Sequence, residues 1–177
     1  MPTNLDTLRA QPLTLIGPAT QSLADGGSIS AWRKAMEIAI RRSQTAAYIA
    51  ATAERLGVSP AAVKGLSKAE RKELDKRIAV QLKYLDGFVA DLRAGKLTMA
   101  QAQARAALYP GATRGTFYAT RYQGLPFYPT EGSECKANCK CNWEQKGDSY
   151  YWRMGAVEHC PTCQTRAANN PYKVEAA

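Results

Sequence analysis

All five cysteines of this 177-residue chain fall between Cys135 and Cys163, in the pattern C-x3-C-x-C-x18-C-x2-C, and the only histidine, His159, stands beside the second cluster. No other feature restricts the fold as tightly. Two thiolate groups separated by a hairpin-length segment are what a tetrahedral zinc site needs. Five is an odd number, so at least one thiol is left over whether the cysteines pair covalently or ligate. The apolar run Leu13-Thr14-Leu15-Ile16 before Gly17-Pro18 is too short for a secretory leader, and no stretch approaches the ~18–20 apolar residues that span a bilayer. A reduced, cytosolic product without membrane contact is therefore expected, which favours metal ligation over disulfides.

Cys160 and Cys163 carry the spacing that lets one turn present two sulfurs to a single ion. In the first group Cys139 is the leading member and Cys135 its natural partner across the turn. Cys141 shares a strand face with Cys139 but reaches the same ion less easily, and His159 is the other alternate. The expectation is a structural Zn2+ site formed by Cys135, Cys139, Cys160 and Cys163, with Cys141 and His159 in reserve. Four protein ligands leave no open position for water, so such a site is structural rather than catalytic. Between the groups, Asn142-Trp143-Glu144-Gln145 and Ser149-Tyr150-Tyr151-Trp152-Arg153-Met154 flank Lys146-Gly147-Asp148, which reads as a β-hairpin. Cys160-Pro161-Thr162-Cys163 then opens a short helix whose positive end favours thiolates. This is the order of small treble-clef-like zinc modules.

The residues before Cys135 read mainly as helix. Trp32, Met36, Ala39, Ile40, Ala47, Ala50, Ala53 and Leu56 recur at helical steps from Ser28 or Ser30 to Gly57. Ser67-Lys68-Ala69-Glu70 and Thr98-Met99-Ala100-Gln101 are capping boxes. The first opens the stripe Leu74, Ile78, Leu82, Leu85, Val89, Leu92, closed by Gly95. The second opens a helix through Tyr109, interrupted at Pro110-Gly111, with a further helical stretch over about 112–123. The expected class is mainly α: an irregular N-terminal arm (1–29), a body of three to four helices (30–124), a Pro-rich connector (125–134) and a zinc-stabilised hairpin module (135–172).

The net charge of +9 lies entirely in residues 1–130, because residues 131–177 carry six basic and six acidic side chains. Phosphate neutralisation supplies most nucleic-acid affinity, so a neutral cysteine region argues against a zinc-ribbon DNA-binding protein. The run Lys68–Arg77 interleaves acids with bases and reads as a solvated, ion-paired helix face. Arg33, Lys34, Arg41 and Arg42 have only Glu37 beside them and are the better candidates for a weak, non-specific DNA contact. One histidine, no Gly-rich phosphate loop and no nucleophile–base arrangement leave an enzyme without parts.

The stretch from Gly65 to Tyr172 resembles the minor head (head morphogenesis) proteins of tailed bacteriophages, the Mu F-like group. The likeness rests on the capped helix Ser67–Gly95, on Leu97-Thr98-Met99-Ala100-Gln101-Ala102 onward to Phe117-Tyr118, and on two cysteine motifs. Asn138-Cys139-Lys140-Cys141 is similar to the family's N-C-R-C signature, and Cys160-Pro161-Thr162-Cys163 to its C-P-x-C pair. The commoner order places C-P-x-C first, and a histidine upstream of N-C-R-C is replaced here by Cys135. The resemblance implies a virion component present in the host cytoplasm during assembly, near the portal vertex and within an oligomeric assembly. Its partners would be portal or major capsid protein, and a capsid cement or head–tail connector role is the alternative within that class. The apolar and aromatic residues of the Leu125–Tyr128 connector, with Trp143, Tyr150 and Trp152, are the expected contact surface, beyond those that pack the module itself.

Overall fold

The structure, a computed structural model, describes residues 5–130, 132–135 and 139–174; Asn138 of the first cysteine motif lies outside them. Helix α1 spans Leu5–Ala24, α2 Ile29–Leu56, α3 Lys68–Arg93, α4 Met99–Ala106 and α5 Thr113–Arg121. A two-stranded antiparallel sheet follows, β1 (Asn142–Lys146) against β2 (Ser149–Arg153), and then helix α6 (Pro161–Ala168). The fold is mainly helical, with the hairpin and the cysteines gathered toward the C-terminus.

Local chemistry sets most helix ends. Ser28 Oγ accepts from the Ala31 N–H at the start of α2, and Gly57 ends that helix at φ 68°, a left-handed geometry that glycine adopts without steric penalty. Both capping boxes form: Ser67 with Glu70 on α3, Thr98 with Gln101 on α4. Pro110-Gly111 replaces the α-helix by a 3-10 turn over Tyr109–Ala112, and α5 follows at once.

Helix α2, 28 residues and about 42 Å long at 1.5 Å per residue, is the spine. Its first half forms one core with α1, α3 and α4: Ile16 and Leu23 meet Trp32, Met36 and Ile40, which pack on Leu85, Phe88, Val89, Ala102 and Ala106. Met36, Leu85 and Phe88 are fully buried, each stabilising the fold by about 1.5–3 kcal/mol relative to exposure. Tyr48 on the same helix closes a smaller cluster with Leu74 and Ile78. The second half of α2 presents Ala47, Ala50 and Ala51 to α5 and to the cysteine module. Small side chains there let the partners approach closely. Thr116 Oγ1 donates to the buried Gln44 Oε1, tying α5 to α2.

Three expectations are corrected. Residues 5–24 form a helix and not an irregular arm, although Pro12 and Pro18 lie inside it. Burial overrides local preference: Ile16 is 3% exposed, and Thr20 Oγ1 donates to Ile16 O while accepting from Trp32 Nε1 at 3.1 Å. Arg33 and Arg41 have more acid cover than the sequence suggests, because Asp86 of α3 takes Arg33 at 2.8 Å and Glu37 takes both arginines. Neither is the open cation expected for DNA. Leu125, Trp143 and Trp152 are 5%, 4% and 1% exposed, so they build the module's own core and are not a docking surface. The expected ion pairs on α3 are present, with Glu73 serving Lys76 and Arg77, and Glu70 reaching Arg55.

Candidate metal centre

The hairpin is the wall on which the centre is built. Trp143 and Trp152 are directly paired across the strands and pack edge to face at 5.2 Å. Phe127 of the connector stacks on Trp143, meets Trp152 edge-on, and accepts the Trp143 Nε1–H on its carbonyl at 3.0 Å. Gly147 takes φ 57°, the left-handed conformation that a two-residue hairpin loop demands. The C-terminal segment closes the module: Tyr150 and Tyr172 exchange backbone hydrogen bonds, and the Asn170 amide pairs with both backbone groups of Trp152. Arg166 lies over the Phe127 ring at 4.1 Å and donates to Gly132 O, fastening α6 to the connector.

Cys139 and Cys141 sit on the extended segment leading into β1, and both are buried. Arg114 of α5 holds this segment by donating to the carbonyls of Cys141, at 2.9 Å, and Lys140, at 3.3 Å. Gly155, just after β2, passes so close that a Cβ there would stand 2.7 Å from Lys140 O. Cys160 is the N-cap of α6 and Cys163 lies in its first turn, so the helix start delivers both sulfurs together. Cys135 arrives from the connector, with Ser133 Oγ 3.3 Å from its sulfur.

The cysteines therefore converge as two triads. Cys135, Cys160 and Cys163 form one, and Cys139, Cys141 and Cys163 the other, with the sulfurs of each triad within 4.8 Å of one another. Within the first, Cys135 Sγ lies 3.7 Å from Cys163 Sγ and 3.6 Å from Cys160 Sγ. A tetrahedral ion bound at about 2.3 Å to each thiolate sets its sulfurs about 3.75 Å apart, so these separations fit a metal ion. Three of the four leading residues from the sequence, Cys135, Cys160 and Cys163, share one triad. Cys139 stands in the other, beside the alternate Cys141.

The second alternate is placed with equal care. His159 Nδ1 lies 3.6 Å from Cys141 Sγ, and its Nε2 is 2.6 Å from Gly155 O. A carbonyl only accepts, so Nε2 carries the proton and Nδ1 offers its lone pair toward the thiols. Fixing one ring nitrogen on a backbone carbonyl is the usual way a ligating imidazole is oriented.

Thiol acidities show strong mutual influence. The hydrogen bond from Cys141 pulls Cys139 down to about 4 against the opposing effect of burial. The same bond, followed by burial, pushes Cys141 upward. Burial first, then the bond to Cys160, pushes Cys163 upward as well. The charge of the Cys139 thiolate thus opposes ionisation of Cys135, Cys141 and Cys163. Beside the rim, hydrogen bonds from Cys160 and Thr162 hold the exposed Glu134 carboxyl at about 2.

Sequence reading missed Arg114, Gly155 and Asn170, which hold the backbone around the cysteines and the hairpin in place. Their partners are backbone atoms distant in sequence, and no motif announces such pairs. Only Gly155 carried a signal, as a glycine just past a strand. Among the described residues no helix is long and apolar enough to cross a membrane. Comparison with known proteins gives no match: no family model, curated protein or solved structure corresponds to this chain.

Proposed function

We propose that this chain is a non-enzymatic structural or assembly protein of a tailed-phage head, a minor head protein near the portal vertex, with zinc as the ion of its cysteine cluster. The supporting observation is the setting of the cluster. Cys139, Cys141 and Cys163 share a single core with Ala47, Ala50 and Ala51 of the spine helix and with Phe117 and Tyr118 of α5. A metal placed there braces the foot of the helical body, which suits a part that transmits force or position in an assembly. A DNA-reading ribbon instead needs a basic, solvent-facing module, whereas residues 131–177 carry equal numbers of basic and acidic side chains. The two cysteine motifs similar to those of the Mu F-like group supply the phage context, and thiolate donors at tetrahedral spacing favour zinc.

The test is fractionation of virions made with an epitope-tagged copy. The protein is expected in heads, at few copies per particle, with portal or capsid protein co-purifying at salt concentrations that abolish DNA binding. A copy number matching the capsid lattice would support the cement role instead. Tight, sequence-selective duplex binding without head proteins would overturn the reading and favour a regulator. Metal analysis of freshly reduced protein should find zinc, and its absence would remove zinc from the proposal.

A further inference from the structure

We propose that the cysteine cluster holds two zinc ions that share the Cys163 thiolate as a bridge. This inference rests on the zinc reading above and goes beyond a single structural ion.

Donor number comes first. Five sulfurs and the oriented His159 imidazole make six donors, and one tetrahedral ion uses four. An ion held by Cys135, Cys139, Cys160 and Cys163 leaves Cys141 buried and His159 fixed on Gly155 O to no purpose. An ion held instead by Cys139, Cys141, Cys163 and His159 leaves Cys135 and Cys160 at ligand spacing, 3.6 Å apart. Neither choice accounts for both triads.

Geometry comes second. A tetrahedron with about 2.3 Å bonds to sulfur and about 2.0–2.1 Å to nitrogen has a mixed edge near 3.5 Å. The Cys141 Sγ to His159 Nδ1 separation of 3.6 Å matches that edge. The sulfur separations of 3.6 and 3.7 Å in the first triad match the all-sulfur edge. Cys163, fully buried, belongs to both triads. One ion thus takes the sulfurs of Cys139, Cys141 and Cys163, and His159, whose Nδ1 stands 3.6 Å from Cys141 Sγ, is assigned as the donor that completes it. The other takes Cys135, Cys160 and Cys163.

Charge comes third. A single zinc with four thiolates leaves the site doubly negative and one thiol protonated. Two ions with five thiolates leave a single negative charge and release all five thiol protons to solvent. Less net charge remains in a half-buried site, where unpaired charge is costly.

The full-length chain, reduced and loaded with zinc alone, is tested by metal analysis. The result expected is two ions per chain. One ion overturns the bridged pair but leaves the zinc reading standing, whereas none removes both. Replacing zinc by a spin-active cadmium isotope should give two resonances split by coupling through the shared sulfur. Two uncoupled resonances would overturn the bridge. His159→Ala should drop the count from two to one and collapse the splitting, with the helical circular dichroism kept. A count of two retained in His159→Ala would overturn the donor assignment. The stoichiometry and coupling are read on the unaltered protein, so a variant that fails to fold does not shelter the proposal.

Discussion

Cys163 is the residue on which the centre depends most. It sits in the first turn of α6, is fully buried, and is the one sulfur common to both triads. Cys163→Ser is expected to abolish metal retention through gel filtration, while Cys135→Ser removes only part of it. Sequence spacing alone ranks Cys141→Ser as milder than Cys135→Ser. Burial at 0% exposure beside Cys139 and His159 reverses that order, and competition with a chromogenic chelator would measure it. Gly155 matters for a different reason. A Cβ there would collide with the Lys140 backbone, which the Arg114 clamp prevents from yielding. Gly155→Ala should lower stability by about 1–3 kcal/mol in urea unfolding of the zinc-loaded protein, as overpacking does.

At the scale of elements, caps and aromatic pairs make separate, measurable contributions. Ser67→Ala should cost about 1 kcal/mol of unfolding free energy, because the Glu70 N–H at the start of α3 loses its acceptor. Glu70 adds a pH dependence. Its carboxylate accepts from the Ser67 N–H and pairs with Arg55, and the Ser67 hydrogen bonds hold its pKa below the usual carboxylate value. A folded pKa below the unfolded one means stability present above the unfolded value and lost as pH falls through the folded one. Glu70→Gln should therefore lower stability at neutral pH and flatten this acid-limb loss. In the hairpin, Trp152 is 1% exposed and touches Trp143 and Phe127. Trp152→Ala should cost about 3–5 kcal/mol, and loss of near-ultraviolet dichroism would report it before the helices melt.

For the whole molecule, one core is divided along the spine helix. Residues of α2 up to Ile40 pack on α1, α3 and α4, while Ala47, Ala50 and Ala51 pack on α5 and the module. Chelation should therefore unfold the module and loosen the C-terminal half of α2 and α5, while the α1–α4 core keeps its helical signal. Hydrogen exchange would locate the boundary, and uniform loss of protection across α1–α4 would show that the two ends are not separable. A fragment ending at residue 124 should be helical yet associate with itself, since Phe117 and Tyr118 lose their cover. Any DNA binding should be weak and steeply salt-sensitive, because Arg33 and Arg41 are engaged by Asp86 and Glu37.

Much of this was legible from local pattern. Helix ends at Ser28, Gly57, Ser67 and Thr98 follow from capping chemistry, which acts within four residues. The hairpin follows from aromatic residues around Gly147, and a cysteine cluster that could hold a metal ion from cysteine spacing. Tertiary structure decided the rest. Pro12 and Pro18 argue against helix locally, and only contact with Trp32 and the buried core of α2 makes residues 5–24 helical. Spacing cannot say whether Trp143 and Trp152 face a partner or Phe127, because alternation marks a buried face without naming what buries it. Nor can it divide five sulfurs between two triads that share one of them. That division depends on where α6 delivers Cys163 relative to β1, a distance between elements far apart in the chain.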